Sequence, residues 1–235
     1  MTQFTIDTEV ADIVTALPQS AEVFRKLRID FCCGGKVALK TAAMEQGFNP
    51  EEILKEIKEL ENTQPSEAFD PASFGDRTLV TYIQETYHDP LREQLPELSK
   101  YVSTVVNVHG SLHPELYRVQ ELFEELSTEL LDHTKDEDMN VFPLLLTFLR
   151  NPSNELVEKV TPHVQELEEE HENTGKLLFE LRDITNNFTL PEGACATYSL
   201  VYRQLEELEK KTFQHVHLEN NILFERVKKV LHSLN

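Results

Sequence analysis

The sequence is dominated by four long amphipathic stretches that follow one another with short breaks between them. In each stretch, apolar residues recur at the three- and four-residue spacing of a helix. The stretches cover 77–108, 114–150, 154–187 and 192–232, and the breaks read HGSLHP, RNPSN and NNFTLPEG. Long helices joined by short, turn-like connections predict an up-down-up-down four-helix bundle. Pro90 and Pro96 lie inside the first stretch, where we expect them to kink or restart its helix.

A small helical domain is predicted ahead of the bundle, at residues 1–62. Spaced apolar residues indicate three short helices, at 8–17, 20–28 and 36–46. A fourth helix is expected to begin after Asn49, a favourable N-cap that is followed by Pro50. Residues 63–76 are rich in Pro, Ser and Asp and predict a linker. The predicted fold class is therefore all-α, with the four-helix bundle at 77–235.

The charge balance limits the partners that this chain can have. Acidic residues outnumber basic ones 42 to 22, for a net charge of -20, so the surface repels nucleic-acid phosphates and anionic lipid. The start, MTQFTIDTEV, lacks a basic segment followed by an apolar one, and no apolar run approaches about 18 residues. Three cysteines do not form a disulfide framework. We expect a cytoplasmic protein with no nucleic-acid or membrane partner.

The segment HVHLEN, at 215–220, places polar residues on the inner face of the last stretch. Successive helical residues are about 100° apart, so His215 and Glu219 share a face and His217 points away from them. Their stripe is otherwise mostly apolar: Val201, Leu205, Leu208, Thr212 and Ile222. His215 and Glu219 are therefore predicted to lie in the core.

The other three stretches also carry histidines within their apolar stripes. His133 and Glu137 have the same four-residue spacing and lie in the apolar stripe of the second stretch. His171 and His88 lie in the stripes of the third and first stretches. Each predicted helix thus carries one inward-facing histidine, and two of them add a glutamate one turn later.

If these histidines meet at one level of the bundle, the chain must run equally far out from one histidine and back to the next. From His133 to Leu149 is 16 residues, and from Glu155 to His171 is again 16. Both helical segments are about 24 Å long at a rise of about 1.5 Å per residue. The segments from His88 to Asn107 and from Glu115 to His133 match almost as well, at 19 and 18 residues. The segments from His171 to Asn187 and from Glu192 to His215 match less well, at 16 and 23 residues.

Four histidines and two carboxylates in one core predict a metal site. The alternative for any single histidine is a hydrogen-bonded core residue, but unpaired buried carboxylates are costly unless a cation compensates them. Imidazole and carboxylate ligands favour iron or manganese, with zinc possible. If each glutamate bridges two ions and each ion takes two histidines, an oxo or hydroxo bridge makes five ligands and leaves one open position. Metal loading is expected to fail as the histidines protonate below about pH 6.

The segment IDFCCGGK, at 29–36, holds two adjacent cysteines followed by two glycines. This is not the C-x-x-C spacing of redox or zinc motifs. The glycines allow close approach of a ligand, and Lys36 and a following helix N-terminus are expected to lower a thiol pKa. The alternative is that Cys32 and Cys33 are two small buried thiols at a turn. Cys195 lies in a predicted loop and is taken to be incidental.

The remaining histidines are predicted to lie outside the metal site. His109 follows His88 by 21 residues, about 31 Å along one helix, so both cannot bind the same ions. We expect His109 to have a capping or surface role. Surface positions are also expected for His113, His163 and His232.

Five segments together resemble the repair-of-iron-centres family of ScdA and YtfE type, whose bundle is the hemerythrin-like di-iron fold. They are IDFCCGGK, YHDPLREQLPEL, HTKDED, EEHENTG and HVHLENNILF. The resemblance implies the same ligands that helical spacing selects: His88, His133, Glu137, His171, His215 and Glu219. It also implies that Cys32 and Cys33 contact exchanged iron, nitric oxide or a client cluster. Oxygen-carrying hemerythrins have five histidines, and this set has one fewer.

The function implied by this resemblance is that of a cytoplasmic di-iron protein, made under oxidative and nitrosative stress, which restores damaged iron–sulfur clusters by donating iron. The partners implied are iron–sulfur client proteins, nitric oxide or oxygen, and a second copy of the chain in a homodimer. Two alternatives remain open: a nitric-oxide reductase in which the cysteines move electrons, and a sensor of oxygen or nitric oxide.

Overall fold

The computed structural model describes residues 4–63 and 70–234. Its helices are α1 (Val10–Ala16), α2 (Ser20–Lys26), α3 (Leu39–Glu45), α4 (Pro50–Thr63), α5 (Asp76–Ile83), α6 (Asp89–His109), α7 (Glu115–Asp136), α8 (Phe142–Arg150), α9 (Asn154–Ile184), α10 (Ala196–Leu218) and α11 (Phe224–Leu234). No strand occurs in the described ranges, where Glu9 and Ala38 form only an isolated bridge. The predicted all-α class is confirmed. None of the helices within these ranges is long and apolar enough to cross a bilayer.

Helices α1–α4, here called the N-terminal helices, correspond to the four helices predicted for the first part of the chain. Asn49 caps α4, because its Oδ1 accepts a hydrogen bond from the backbone N–H of Glu51 at 3.0 Å. Of the predicted linker, 64–69 lie outside the described residues, and Pro71–Ser73 form a short 3-10 turn. The boundaries of the domains and the linker stay a prediction.

Helices α5–α11 form four long helical runs, at 76–109, 115–150, 154–184 and 196–234. These runs pack side by side as the predicted bundle, with α6 and α9 both against α7 and with α10 against α6 and α9. Three of the runs contain one π turn each: Gln84–His88, Glu137–Val141 and Glu219–Leu223. A π turn widens the helix and is frequent at functional sites.

The two prolines of the first run behave differently. Pro90 lies in the first turn of α6, directly after a π turn, so the helix restarts there as expected. Pro96 lies inside α6, which continues through it to His109, so the helix is not restarted at Pro96, and a kink there stays a prediction. Leu95 and Leu98 flank Pro96 and are buried, so core packing holds the helix together despite the lost hydrogen bond.

The apolar core is divided into two clusters by a polar layer. One cluster joins the N-terminal helices to the half of the bundle formed by α6, α7, α10 and the C-terminal part of α9. The other lies in the half formed by α5, α8, α11 and the N-terminal part of α9. A buried ion network reinforces the first cluster: Arg25 Nη1 of α2 donates to Glu209 Oε2 of α10 at 3.1 Å, and Arg182 of α9 pairs with the same carboxylate. The N-terminal helices are therefore packed against the bundle of their own chain.

Candidate metal centre

The polar layer between the two apolar clusters consists of six side chains, here called the six-residue cluster. They are the predicted ligands His88, His133, Glu137, His171, His215 and Glu219. Five of them are at most 2% exposed, and the side chain of His133 is 8% exposed. The structure thus brings all six predicted residues together in the bundle interior, and their role as ligands stays a prediction.

On one side of the cluster, His133 and His171 face each other. Their Nε2 atoms are 3.0 Å apart. Glu137 Oε2 lies 3.3 Å from Nε2 of His133, and Glu219 Oε2 lies 3.2 Å from Nε2 of His171. Two imidazoles and two carboxylates therefore converge on one point, as a single cation requires.

On the other side, His88 and His215 pack edge to face with ring centroids 5.5 Å apart. Nε2 of His88 lies 3.4 Å from Glu219 Oε1 and 3.5 Å from Glu137 Oε2. Nε2 of His215 lies 3.8 Å from Glu219 Oε2. Both carboxylates thus reach histidines of both groups, which is the arrangement expected of carboxylates that bridge two cations.

The π turns lie where the helices supply these side chains. His88 ends the first π turn, and Glu137 and Glu219 begin the other two. Each histidine that precedes a glutamate is four residues earlier, on the same face. The four-residue spacing predicts that each of these histidines shares a helix face with its glutamate, but the spacing does not indicate the π turns.

Three histidines are oriented by a hydrogen bond at the ring nitrogen that faces away from the cluster. Nδ1 of His88 donates to Asp138 at 2.9 Å, and Nδ1 of His133 donates to Glu170 at 2.6 Å. Nδ1 of His171 donates to Asn220 Oδ1 at 2.8 Å. These bonds leave Nε2 of each ring free to face a cation, as in most protein metal sites.

Several atoms of the six-residue cluster are buried without any hydrogen-bond partner among the described residues. They are both oxygens of Glu137 and Glu219, both ring nitrogens of His215, and Nε2 of His88. Such atoms are costly to bury unless a cation compensates them. The donor set, imidazole and carboxylate without thiolate, fits iron, manganese or zinc.

The pKa shifts of His133, His215 and the two glutamates agree with this interpretation. The exception is His88, where burial is outweighed by Asp138 and Glu219, which together raise the pKa. Burial lowers the pKa of His215 to about 3 and also lowers the pKa of His133, so both rings are neutral and able to bind metal at pH 7. Burial and the charge of Glu219 raise the pKa of Glu137 well above its usual range. Burial opposes ionisation of Glu219, but the imidazoles around it, His215 first, hold its pKa well below the usual range. Without a cation, simultaneous ionisation of the two carboxylates is therefore disfavoured.

The six-residue cluster is most exposed to solvent at His133. A cavity of about 600 Å³ opens there and is lined by five carboxylates: Glu129, Asp132, Asp136, Glu166 and Glu170. The half-exposed Glu170 stands between this cavity and the imidazole of His133. Of the six side chains, His133 is thus the one nearest to water.

The loop 30–36, here called the cysteine loop, is built around Asp30. Its carboxylate accepts hydrogen bonds from the backbone N–H groups of Cys32, Cys33 and Gly34, at 2.8–3.0 Å. The two thiol sulfurs are 3.5 Å apart and form no disulfide. Both cysteines line a cavity of about 260 Å³.

The expected activation of a thiol by Lys36 is wrong for Cys32. The hydrogen bond with Cys33, together with burial and the charge of Asp30, raises the pKa of Cys32 well above its usual value. Lys36 pairs with Glu225, and α3 begins only at Leu39. The thiol of Cys32 is therefore protonated at neutral pH.

His217 points away from the six-residue cluster, as predicted, but it is not exposed to solvent. It is 3% exposed because it lies under the N-terminal helices. Its Nδ1 donates to the carbonyl of Phe31 at 3.0 Å, and its Nε2 lies 3.2 Å from Thr15 Oγ1. Burial lowers its pKa to about 4, so it binds the cysteine loop as a neutral ring.

Asn220 and Asn221 are functional candidates that the sequence analysis missed. Asn220 Nδ2 donates to the carbonyl of Cys32 at 3.2 Å, and Asn221 Nδ2 donates to the same carbonyl at 2.9 Å. The cysteine loop therefore rests on the π turn that carries Glu219. Their place in HVHLENN, beside a predicted ligand, is the only sequence signal that pointed to them.

The remaining candidates lie away from the cluster. His109 ends α6, is half-buried, and has its Nε2 3.2 Å from Cys195 Sγ. His113 is half-buried beside Glu115 rather than fully exposed. His163 is partly exposed at the mouth of the acidic cavity, and His232 is exposed.

Two family models match this chain. Residues 6–61 match ScdA_N, described as a domain of unknown function (DUF542), and residues 79–227 match the hemerythrin HHE cation binding domain. The second match agrees with the buried His and Glu side chains, which suit a cation.

Curated relatives match along nearly the whole chain. The iron-sulfur cluster repair protein ScdA of Staphylococcus epidermidis is 36% identical over 219 residues, which are 93% of this chain and 96% of that protein. ScdA of Staphylococcus haemolyticus is 38% identical over 94% of this chain and 98% of its own length. The iron-sulfur cluster repair protein YtfE of Pectobacterium atrosepticum is 30% identical over 94% of this chain and 96% of its own length. The resemblance seen in the motifs is confirmed, and the chain belongs to the family of iron–sulfur cluster repair proteins of the ScdA and YtfE type.

Proposed function

We propose that this protein binds two iron ions in the six-residue cluster. One ion is assigned to the group with His133 and His171, and the other to the group with His88 and His215. Glu137 and Glu219 are the proposed bridges, because each lies within 3.5 Å of histidines from both groups. The observation that carries this proposal is the set of buried, unpartnered carboxylate and imidazole atoms, which two cations would satisfy.

We further propose that the protein repairs iron–sulfur clusters damaged by oxidative or nitrosative stress by donating iron to client proteins. The relatives described above carry the name iron-sulfur cluster repair protein. The structure supports iron as a cargo because only six protein ligands serve two ions, which leaves positions for an exchanging ligand. The acidic cavity beside His133 offers cations a favourable electrostatic path.

The cysteine loop is the proposed contact with exchanged iron, nitric oxide or a client cluster. Cys33 is partly exposed, Cys32 is buried behind it, and both line one cavity. The cysteines contact the bundle of their own chain through Asn220 and Asn221. A homodimer stays a prediction, but no second chain is needed to bring the cysteines to the bundle.

Iron transfer tests this function directly. Protein loaded with isotopically labelled iron is mixed with a client whose cluster has been damaged, and the label is followed after separation. We expect label in the client and recovery of its cluster. The Cys32→Ala, Cys33→Ala variant should keep its own iron but transfer less, whereas Cys195→Ala, a matched control at an exposed cysteine, should behave as the wild type.

The same experiment separates the alternatives. Consumption of nitric oxide in repeated turnovers, with all the label retained, would contradict donation and favour the reductase. Binding of nitric oxide or oxygen without turnover or transfer would favour the sensor. Protein that takes up no iron would contradict the proposal as a whole.

A further inference from the structure

One side chain connects the six-residue cluster to the cysteine loop. Asn220 accepts a hydrogen bond from Nδ1 of His171 at 2.8 Å through its Oδ1. Through its Nδ2 it donates to the carbonyl of Cys32 at 3.2 Å. Asn220 is 6% exposed, so neither bond is exchanged readily for water.

The amide of Asn220 suits both hydrogen bonds, because it can accept from His171 and donate to the carbonyl of Cys32. His88 and His133 have carboxylates as partners, Asp138 and Glu170 respectively. A carboxylate can orient a histidine but cannot donate to a carbonyl, whereas an amide can do both. At His171 the chain therefore uses the neutral side chain that also binds the loop.

Two other side chains that bind the backbone of the loop do not share this property. Asn221 donates to the carbonyl of Cys32, and His217 donates to that of Phe31. Both bind the backbone of the loop, but neither hydrogen-bonds a side chain of the six-residue cluster in the described structure. Asn221→Ala is therefore a matched control that weakens the loop without touching a proposed ligand.

We propose that Asn220 is a positioning residue that couples occupancy of the metal centre to the order of the cysteine loop. When iron holds His171 in place, Asn220 is fixed and its bond to Cys32 is stabilised. When iron leaves, His171 gains rotational freedom and this bond weakens, so the loop opens more often. The inference rests on the proposed metal site and adds a link between release of iron and exposure of the thiols.

Hydrogen exchange of the backbone amides in 30–36 measures this link without any assay of activity. It is recorded on the full chain with saturating iron(II) and after chelation, both under argon. In the wild type, iron should slow exchange about five-fold, the effect of one hydrogen bond. In Asn220→Asp, which can still accept from His171 but cannot donate to Cys32, this dependence on iron should fall below about two-fold.

Further variants exclude a merely structural effect. Asn220→Ser removes both bonds without adding a buried charge and serves if Asn220→Asp does not fold. Asn221→Ala should speed exchange in both states yet keep the five-fold effect of iron. Asp138→Asn, which alters the partner of a different histidine, should also keep that effect at saturating iron.

Two outcomes would overturn the inference and leave the proposed function intact. One is exchange in 30–36 of wild-type protein that does not depend on iron, although metal analysis shows that iron is bound. The other is an unchanged dependence in both Asn220 variants. Failure of the wild type to bind iron is a separate outcome, which metal analysis identifies and which overturns the proposed function together with this inference.

Discussion

Replacing Glu137 with glutamine is expected to change stability in opposite directions with and without iron. Glu137 is fully buried, and its oxygens have no hydrogen-bond partner in the described part of the chain. Because burial and the charge of Glu219 raise its pKa well above the usual range, folding of the metal-free protein favours the protonated form of this carboxyl. Glutamine has nearly the same shape as that protonated acid but needs no proton.

The size of the effect follows from the proton that folding takes up. In the unfolded chain, the carboxyl titrates near 4.5. Protonating it at pH 7 costs about 1.36 kcal/mol per pH unit above that value, or about 3 kcal/mol in total. Metal-free Glu137→Gln should therefore be more stable than the wild type by up to about 3 kcal/mol at pH 7.

The sign of the pH dependence is also fixed. The pKa of Glu137 is higher in the folded than in the unfolded state, so its contribution to stability is fully present below about pH 4.5. That contribution is lost as the pH rises towards 7. The advantage of Glu137→Gln should accordingly be largest at neutral pH and disappear near pH 4.5.

With iron the order reverses, because a neutral amide cannot serve as an anionic bridge between two cations. At about 100 times its dissociation constant, each of the two proposed ions stabilises the folded state by about 2.7 kcal/mol, so both together outweigh the advantage of about 3 kcal/mol that the metal-free variant has. The wild type should gain at least this much from iron, and Glu137→Gln should lose most of the gain.

Denaturant unfolding followed by helical circular dichroism, under argon, with chelator or with iron(II), measures both states. Glu209→Gln is a matched control, because Glu209 is equally buried but is paired with Arg25 and Arg182. This control should lose about 3 kcal/mol in both states and keep its response to iron. A metal-free Glu137→Gln that is less stable than the wild type at pH 7 would refute the reasoning.

Three further substitutions test other parts of the structure. His215→Ala removes a histidine of one group only, so metal analysis should find about one of the two iron ions retained. His109→Ala should leave the iron content unchanged, because His109 ends α6 beside Cys195, away from the cluster; a loss of iron would contradict its placement. Gly35→Ala would place a Cβ 2.6 Å from the carbonyl oxygen of Phe31, so exchange in 30–36 should become faster while iron binding is kept, as native mass spectrometry can show.

The helices and the six side chains were predictable from the sequence because both depend on one periodicity. Spacings of three and four residues define the inner face of a helix, and that face carries His215 and Glu219 as well as the apolar core. Equal helix lengths then place His133 and His171 at one level, where their Nε2 atoms lie 3.0 Å apart. Local rules sufficed because each of these histidines lies within a long helical run whose inner face is otherwise mostly apolar.

The features that could not be predicted depend on contacts between distant parts of the chain. Asn220 is adjacent to Glu219 in sequence, but its partner Cys32 is 188 residues away. The hydrogen bond with Cys33, burial and the charge of Asp30 raise the pKa of Cys32, whereas Lys36, expected to lower it, pairs with Glu225 from α11. Spacing within one helix gives no information about which surface a separate group of helices will cover.

The position of the cluster also indicates how the proposed iron donor would stay folded after its iron has left. Emptying the site leaves costly unpartnered groups in the interior, but the apolar clusters on both sides of the layer do not depend on the metal. Protonation of Glu137 removes the repulsion between the two carboxylates, at a cost of about 3 kcal/mol at pH 7. That cost is smaller than the stability of a typical domain, about 5–15 kcal/mol, so a metal-free state can persist long enough to be reloaded. The same protonation weakens the site for iron, because a carboxylate that holds a proton cannot bridge two cations, and release is therefore favoured as the pH falls.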